Sequence, residues 1–208
     1  MNHIIRKSEL QDAPHFVRIK NALPLPATTN ATKNGGFLLG TDIPTYQFYI
    51  EHGSCLTAEK DGKIIGFGIV LPNHIIRESE LWKKRNSVNW AINIRLLEQS
   101  NIAYFEQLAF IQGRRKISMQ LAYQVAKSAF DKGAEFILTT TVNKPIANKA
   151  AIPYITAIGG RKIGNIDETY PQVGAINSDI YLIAKNDFFN KLKKLPYYPI
   201  LTSNEMAY

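Results

Sequence analysis

A mixed α/β architecture is expected of this chain on three grounds. The run SCLTAEKDGKIIGFGIVLP sets Asp61-Gly62 between two β-prone stretches, as a tight hairpin turn requires. Between Ile102 and Val142 a strand, a helix and a second strand follow one another. IAYFEQLAF is β-prone, Ile117, Leu121, Val125 and Ala129 then recur every fourth position on one apolar helical face, and AEFILTTTV resumes the extended pattern after Gly133. Farther on, RKIGNIDETY and SDIYLIAKN read as two more strands. Antiparallel hairpins therefore flank a strand–helix–strand unit.

The remaining elements fit around this frame. HIIRKSE is a short first strand, and LQDAPHFVRIKNAL a helix whose Asp12-Ala-Pro14 start suits a capped N-terminus with proline in the first turn. PLPATTNATKNGG has loop composition, and IPTYQFYIEHG reads as a short helix ending at Gly53. Gly66 and Gly68 share one strand face, which marks either close approach by a backbone or ligand or a tightly packed sheet. Residues 73–100, with Trp82 and Trp90 among several cations, form an insertion with at least one helix before the strand IAYFEQLAF. NKPIANKAAIPYITAIGG is a loop and short helix, and the tail 186–208 a short helix with an extended end. One domain over 1–208 is expected, since that length can bury a substantial core.

Composition narrows the function classes. No stretch approaches the roughly 18 uninterrupted apolar residues that would span a membrane. MNHIIRKSELQD lacks the continuous apolar core and small-residue cleavage site of a signal peptide, so a cytoplasmic location is expected. Cys55 is the only cysteine, which excludes an intramolecular disulfide, and it has no metal-ligand spacing with the four histidines. Twenty-five basic against seventeen acidic residues give a net charge of +8, which favours an anionic partner.

Gly113, Arg114, Arg115 and Lys116 stand just ahead of the central helix. They are either a solvated loop or a phosphate site, because a helix N-terminus already offers unpaired N–H groups and a positive dipole end. Two segments bear on the choice. EQLAFIQGRRKISMQLAYQVAKSAFDKGA and NKAAIPYITAIGGRKIG resemble the GNAT superfamily of acyl-coenzyme A dependent N-acetyltransferases. The first is similar to that family's E-x-L-A-V strand, basic phosphate loop and following helix. The second is similar to its N-x-x-A-I and L-G-F pattern, through Asn148, Ala151, Ile152 and Ile158-Gly159-Gly160. The resemblance covers residues 3–185, apart from the insertion.

The resemblance implies a mostly antiparallel central sheet flanked by helices, and binding of acetyl-CoA or another acyl-CoA as cosubstrate. It would pair the cofactor's pantetheine arm with Leu108 and Phe110 and set the phosphates on the amides from Gly113 through Arg114, Arg115, Lys116 and Ile117 to Ser118. Asn148 would be a further cofactor contact. This loop departs from the family's pattern, with Lys116 at its interior glycine and Ser118 at its final small residue. Acyl transfer to an amine needs a base, polarisation of the thioester carbonyl and an acid for the departing thiolate. Glu106 is the candidate base, against the alternative of an exposed or salt-bridged strand carboxylate. Tyr104 shares its strand face by the two-residue period, and the Phe110 amide would stabilise the oxyanion. The family's acid position holds Ile155. Its neighbour Tyr154 either turns into the site at Pro153 or packs in the core.

Three function classes follow. The first is a GNAT-type N-acyltransferase acting by direct attack of an unidentified amine. The second is a catalytically degenerate GNAT fold that binds CoA species or a macromolecular partner, motivated by the altered loop and displaced tyrosine. The third, nucleic-acid binding through the charge and the Trp82 to Trp90 region, is the weakest, because no binding motif accompanies it and the cofactor's phosphates would account for the charge. The resemblance leaves a homodimer open, through a terminal strand exchanged or paired between subunits.

Overall fold

The computed structural model describes residues 3–23, 31–32, 38, 40–111, 115–170 and 174–203. In chain order they form β1 (His3–Lys7), α1 (Ala13–Asn21), β2 (Ala31–Thr32), α2 (Ile43–His52), β3 (Ser54–Lys60), β4 (Lys63–Leu71), α3 (Asn73–Glu78), α4 (Glu80–Lys83), β5 (Asn89–Trp90), α5 (Arg95–Gln99) and β6 (Ile102–Phe110). There follow α6 (Arg115–Asp131), β7 (Phe136–Lys144), β8 (Ala147–Asn148), α7 (Ile152–Ala157), β9 (Arg161–Tyr170), β10 (Gly174–Ala184), α8 (Lys185–Leu192) and α9 (Tyr198–Thr202).

Local chemistry sets most boundaries. Asp61 (φ 50°) and Gly62 (φ 74°) both take the left-handed conformation of a two-residue hairpin turn between β3 and β4. Asp42 caps α2 by accepting from the Thr45 amide at 2.9 Å. At the end of α6, Gly133 (φ 93°) reverses the chain, and the amides of Gly133 and Ala134 return to Phe130 O and Ala129 O at 3.2 and 3.1 Å.

Eight strands form one sheet in the order β1-β3-β4-β6-β7-β10-β9-β5, antiparallel everywhere except between β6 and β7. The expected mostly antiparallel sheet flanked by helices is therefore present. On one face α6, α8 and α9 pack around Leu121, Val125, Phe130 and Phe188. On the other, α1 and α2 cover β4 with a trio of rings, Phe16, Tyr46 and Phe67, whose centroids lie 4.2 to 5.5 Å apart. Residues of the insertion close the far half of that face, where Ile76, Trp82 and Leu97 meet Ile102, Leu138 and Ile180.

Three two-residue strands were not anticipated, β2, β5 and β8, the last inside the stretch read as a loop and short helix. The insertion, expected to be helical, also supplies β5, which pairs with Asn165 and Gly164 at the edge of the sheet. Gly164 makes room for it, since a Cβ there would lie 2.7 Å from Asn89 O. The segment expected as a loop contributes β2, which pairs in parallel with β8. Two-residue strands carry too little periodicity to be seen in sequence.

The two glycines of β4 resolve in favour of packing. A Cβ on Gly66 would lie 2.4 Å from the Phe110 ring, and one on Gly68 would lie 3.3 Å from Val125 Cγ2 of α6. Among the described residues no helix is long and apolar enough to cross a membrane.

Candidate active site

The sheet splits at its centre. β6 and β7 pair only from Ile102 to Tyr104, opposite Phe136 to Leu138. Beyond that, β6 stays with β4 as far as Phe110, while β7 follows β10 to Lys144. The fork is closed at its apex by Thr139, whose hydroxyl donates to Phe105 O at 2.9 Å. The Ile111 amide donates to Ile65 O at 2.9 Å. Because bonding direction alternates along an antiparallel ladder, Phe110 and Leu108 turn their amides and carbonyls away from β4 and into the gap. A split sheet thus presents main-chain donors and acceptors along one wall of a cleft.

At the apex of the fork β6 bulges. Ile69 pairs with Gln107 and Val70 with Phe105, so Glu106 is the extra residue. The bulge changes the alternation of side chains. An unbroken period of two would carry Leu108 onto the face of Tyr104. Instead Leu108 and Phe110 pack with Phe105 against the α6 layer, while Tyr104 and Ala109 belong to the α1–α2 layer. Gln107, next to the bulge, is buried and clamped: Tyr46 Oη donates to its Oε1 at 2.8 Å, and its Nε2 donates to Thr41 Oγ1 at 3.0 Å.

Glu106 keeps partial contact with solvent although protein surrounds it, which describes a recess. Burial pushes its carboxyl up to about 7, with the Gln107 side chain drawing the other way. Among the described residues it has no ion pair, so it is not a salt-bridged strand carboxylate. Tyrosines surround it. Tyr104 shares a hydrogen bond of 2.7 Å with Thr140, and burial, then the Glu106 charge, hold its phenol well above 10. Tyr46 and Tyr49 on α2 and Tyr170 on β9 are raised by burial first and then by acidic neighbours including Glu106.

The other end of the cleft meets the start of α6. Gly113 and Arg114 lie outside the described residues, as does the side chain of Arg115. Lys116 is exposed. Ile117 and Ser118 are each 5% exposed, so Ile117 offers only its amide while its side chain sits in the core. Within the helix the amides of Arg115, Lys116 and Ile117 have no carbonyl four residues back. Tyr154 is half-buried on α7 and does not pack in the core. Its hydroxyl lies 3.2 Å from Ser118 Oγ, while the adjacent Ile155 is buried. Asn148, on β8, accepts the Ala150 amide at 3.2 Å through Oδ1, which commits that oxygen to a local turn.

The structure therefore brings Glu106, Leu108 and Phe110 to the fork, and Tyr154 to the first turn of α6. Sequence reading missed Gln107, Tyr49, Thr139 and Tyr170 as members of the same cleft. The spacing of Tyr46 and Tyr49 carried only a helical signal, and nothing in sequence tied α2 to β9.

The residues proposed for competing activities have structural duties. Trp82 is buried with the Arg77 guanidinium 4.0 Å from its ring centroid and Arg85 at 5.5 Å. Arg77 also donates to Leu97 O and Ser100 O, both at 2.8 Å, and Trp90 Nε1 donates to Arg85 O at 2.8 Å. The packing reading of these tryptophans is the one the structure bears out. Cys55 is buried, donates to Tyr49 O at 3.1 Å, and is pushed by burial up to about 12, which makes it a poor nucleophile.

A split, bulged central sheet with this order of helices is the GNAT fold, and comparison with solved structures bears it out. Chains of that fold superpose on 88% of this one. They include the ribosomal-protein-S18-alanine N-acetyltransferase of Escherichia coli (TM-score 0.57, 13% identity, 94% of that chain covered). An N-acetyltransferase of Staphylococcus aureus Mu50 is similar over 88% of this chain and 99% of its own (0.58, 14%). So is the Salmonella typhimurium protein yncA with its cofactor acetyl-CoA, over 88% and 94% (0.59, 12%). No protein-family model matches the chain, and no curated protein matches it by sequence at a significant level.

Proposed function

We propose that this chain works as one acyl-CoA dependent N-acyltransferase unit, moving an acetyl or other acyl group to an amine. The observation that carries this reading is the fork itself. Among the described residues the main-chain groups of Leu108 and Phe110 have no strand partner, and they line a cleft that runs from the Glu106 recess toward the N-terminus of α6.

Those groups fit the cofactor. The Leu108 and Phe110 amides and carbonyls match an amide-bearing pantetheine arm, and the first-turn amides of Arg115, Lys116 and Ile117 match a pyrophosphate. Lys116 stands where the family has glycine, but its exposure leaves the backbone approach clear. Asn148 would contact the cofactor through the amide nitrogen that its turn does not use.

The chemistry follows from the side chains. The bound acyl-CoA supplies an activated thioester. Glu106, with a carboxyl near 7, accepts the proton of the acceptor ammonium directly or through water, and so leaves a nucleophilic amine. The Phe110 amide donates to the carbonyl oxygen as the new C–N bond forms. As the C–S bond breaks, the thiolate takes a proton from Tyr154 or from water. No covalent enzyme intermediate is needed.

A thermal-shift titration with CoA, acetyl-CoA and longer acyl forms tests the reading, since a ligand at 100 times its Kd should stabilise the fold by about 2.7 kcal/mol. Saturable stabilisation and acyl transfer to primary amines are expected. No shift with any of them would sink the proposal, and a shift without turnover would favour the degenerate, CoA-binding alternative.

A further inference from the structure

The bulge in β6 does more than bend the strand. Glu106 and Gln107 are neighbours in sequence and would point to opposite faces of a regular strand. Phe105 packs with the α6 layer, so Glu106 alternates to the α1–α2 side, and Gln107 is on that side as well, bonded to Tyr46 of α2. The extra residue thus sets a carboxylate and a carboxamide side by side on one face.

Gln107 is fixed at both ends of its carboxamide. It is buried, as are its partners Tyr46 and Thr41. Tyr46 Oη donates to Oε1 at 2.8 Å, and Nε2 donates one of its two hydrogens to Thr41 Oγ1 at 3.0 Å. Thr41 is held in turn, since its carbonyl accepts from Lys20 Nζ of α1 and the next residue, Asp42, caps α2. An apolar side chain of this size would fill the position with no bonds to satisfy, whereas the carboxamide has a second hydrogen to give.

The surroundings of Glu106 leave that hydrogen a role. Tyr104 on β6, Tyr46 and Tyr49 on α2 and Tyr170 on β9 lie within electrostatic reach of the carboxylate, and burial keeps all four phenols protonated well above neutral pH. Among the described residues no cation pairs with Glu106. The Gln107 side chain is the neighbour that opposes burial and favours the ionised form.

We propose that Gln107 is a positioning residue for acyl transfer: anchored by Tyr46 and Thr41, it gives its remaining amide hydrogen to the Glu106 carboxylate and fixes the direction in which that carboxylate takes the acceptor's proton. Gln107 itself makes and breaks no covalent bond. Because Tyr46 belongs to α2, the same hydrogen bonds keep that helix in register with the base. This inference rests on the reading of Glu106 as the base.

The test pairs Gln107→Met, which keeps the length of the side chain and removes its amide, with Tyr46→Phe, which frees Oε1 and lets the carboxamide turn. Each is read by the pH profile of kcat/KM and by a carbon-13 NMR titration of the Glu106 carboxyl in the full chain. In the wild type both should have a midpoint of about 7. In Gln107→Met both midpoints should rise by about one pH unit, so that kcat/KM on the acid limb falls roughly tenfold, while the thermal shift with CoA is retained. Tyr46→Phe should move them in the same direction by less. Lower activity at every pH with an unmoved midpoint would mean that Gln107 only packs, and would overturn the proposal, as would a midpoint that falls. If Gln107→Met does not fold, the midpoint of Tyr46→Phe decides. A wild type without turnover or CoA shift would instead strike at the acyltransferase reading, and the NMR titration, which needs no turnover, would still test the hold of Gln107 on Glu106.

Discussion

Glu106→Gln should leave the protein more stable and catalytically inert, and the pH dependence of the gain is its signature. Glutamine keeps the size of the side chain and removes its charge. The folded carboxyl titrates near 7 against 4.5 for an unperturbed glutamate, because burial disfavours the ionised form. Between those values the folded state holds a proton that the unfolded state has released, so stability falls as pH rises through this window. Above it the whole cost is present. At about 1.4 kcal/mol per pKa unit the shift corresponds to roughly 3 kcal/mol, and residual contact with water makes roughly 1–3 kcal/mol the expected range. For a chain of this size each kcal/mol moves Tm by about 2–4 °C. Urea unfolding followed by circular dichroism, at intervals from pH 4.5 to 8, should find wild type and variant nearly equal at the acid end and the variant ahead at pH 8. A glutamine variant equally or less stable at every pH would refute the reasoning, since it would mean that the native contacts favour the carboxylate and that Glu106 is not tuned as a base.

Other expectations follow from the same geometry. The pH profile of kcat/KM should rise with a midpoint of about 7, activity being lost on the acid side as Glu106 takes up a proton, and Glu106→Gln should lack that limb. Tyr154→Phe should lower kcat by about 100-fold while CoA still raises Tm; a loss of CoA affinity with kcat intact would make Tyr154 a cofactor contact instead of the acid. Gly66→Ala, which forces a methyl to within 2.4 Å of the Phe110 ring, should cost roughly 1–3 kcal/mol and weaken CoA binding, whereas Gly68→Ala, at 3.3 Å from Val125, should cost less in the same urea titrations. Asp12 is 2% exposed and accepts from Arg6 at 2.7 and 2.9 Å. Burial alone would raise its pKa, but the bonds from Arg6, the Glu9 amide and Thr57 outweigh it and lower it. The stability this confers is present above the unfolded carboxyl's pKa and is lost as pH falls through the folded one. Asp12→Asn should therefore cost about 3 kcal/mol at pH 7 and flatten the acid limb of stability.

Local signals were sufficient for most elements. The turn at Asp61-Gly62, the stop at Gly133 and the apolar stripe through Leu121 and Val125 are decided by backbone preference and periodicity, and each stands where the residues alone put it. The same holds for β6 and for the glutamate on it. The insertion was harder. Its tryptophans among cations suit either a nucleic-acid surface or a packed cluster, and only the stacking of Arg77 on Trp82 and its bonds to Leu97 O and Ser100 O distinguish them.

The chain by itself determined a mixed α/β fold, a central strand carrying Glu106, and a main helix with cations just ahead of it in sequence, because turns, caps and amphipathic periods act between residues close in sequence. Only the tertiary structure decided that β6 parts from β7 after Tyr104, that Glu106 is the bulged residue, and that Tyr46, Tyr49 and Tyr170 come within its electrostatic reach. Register shifts and desolvation arise between strands and helices far apart in the chain. The pKa of a carboxylate depends on what those elements exclude from around it, which no spacing of residues records.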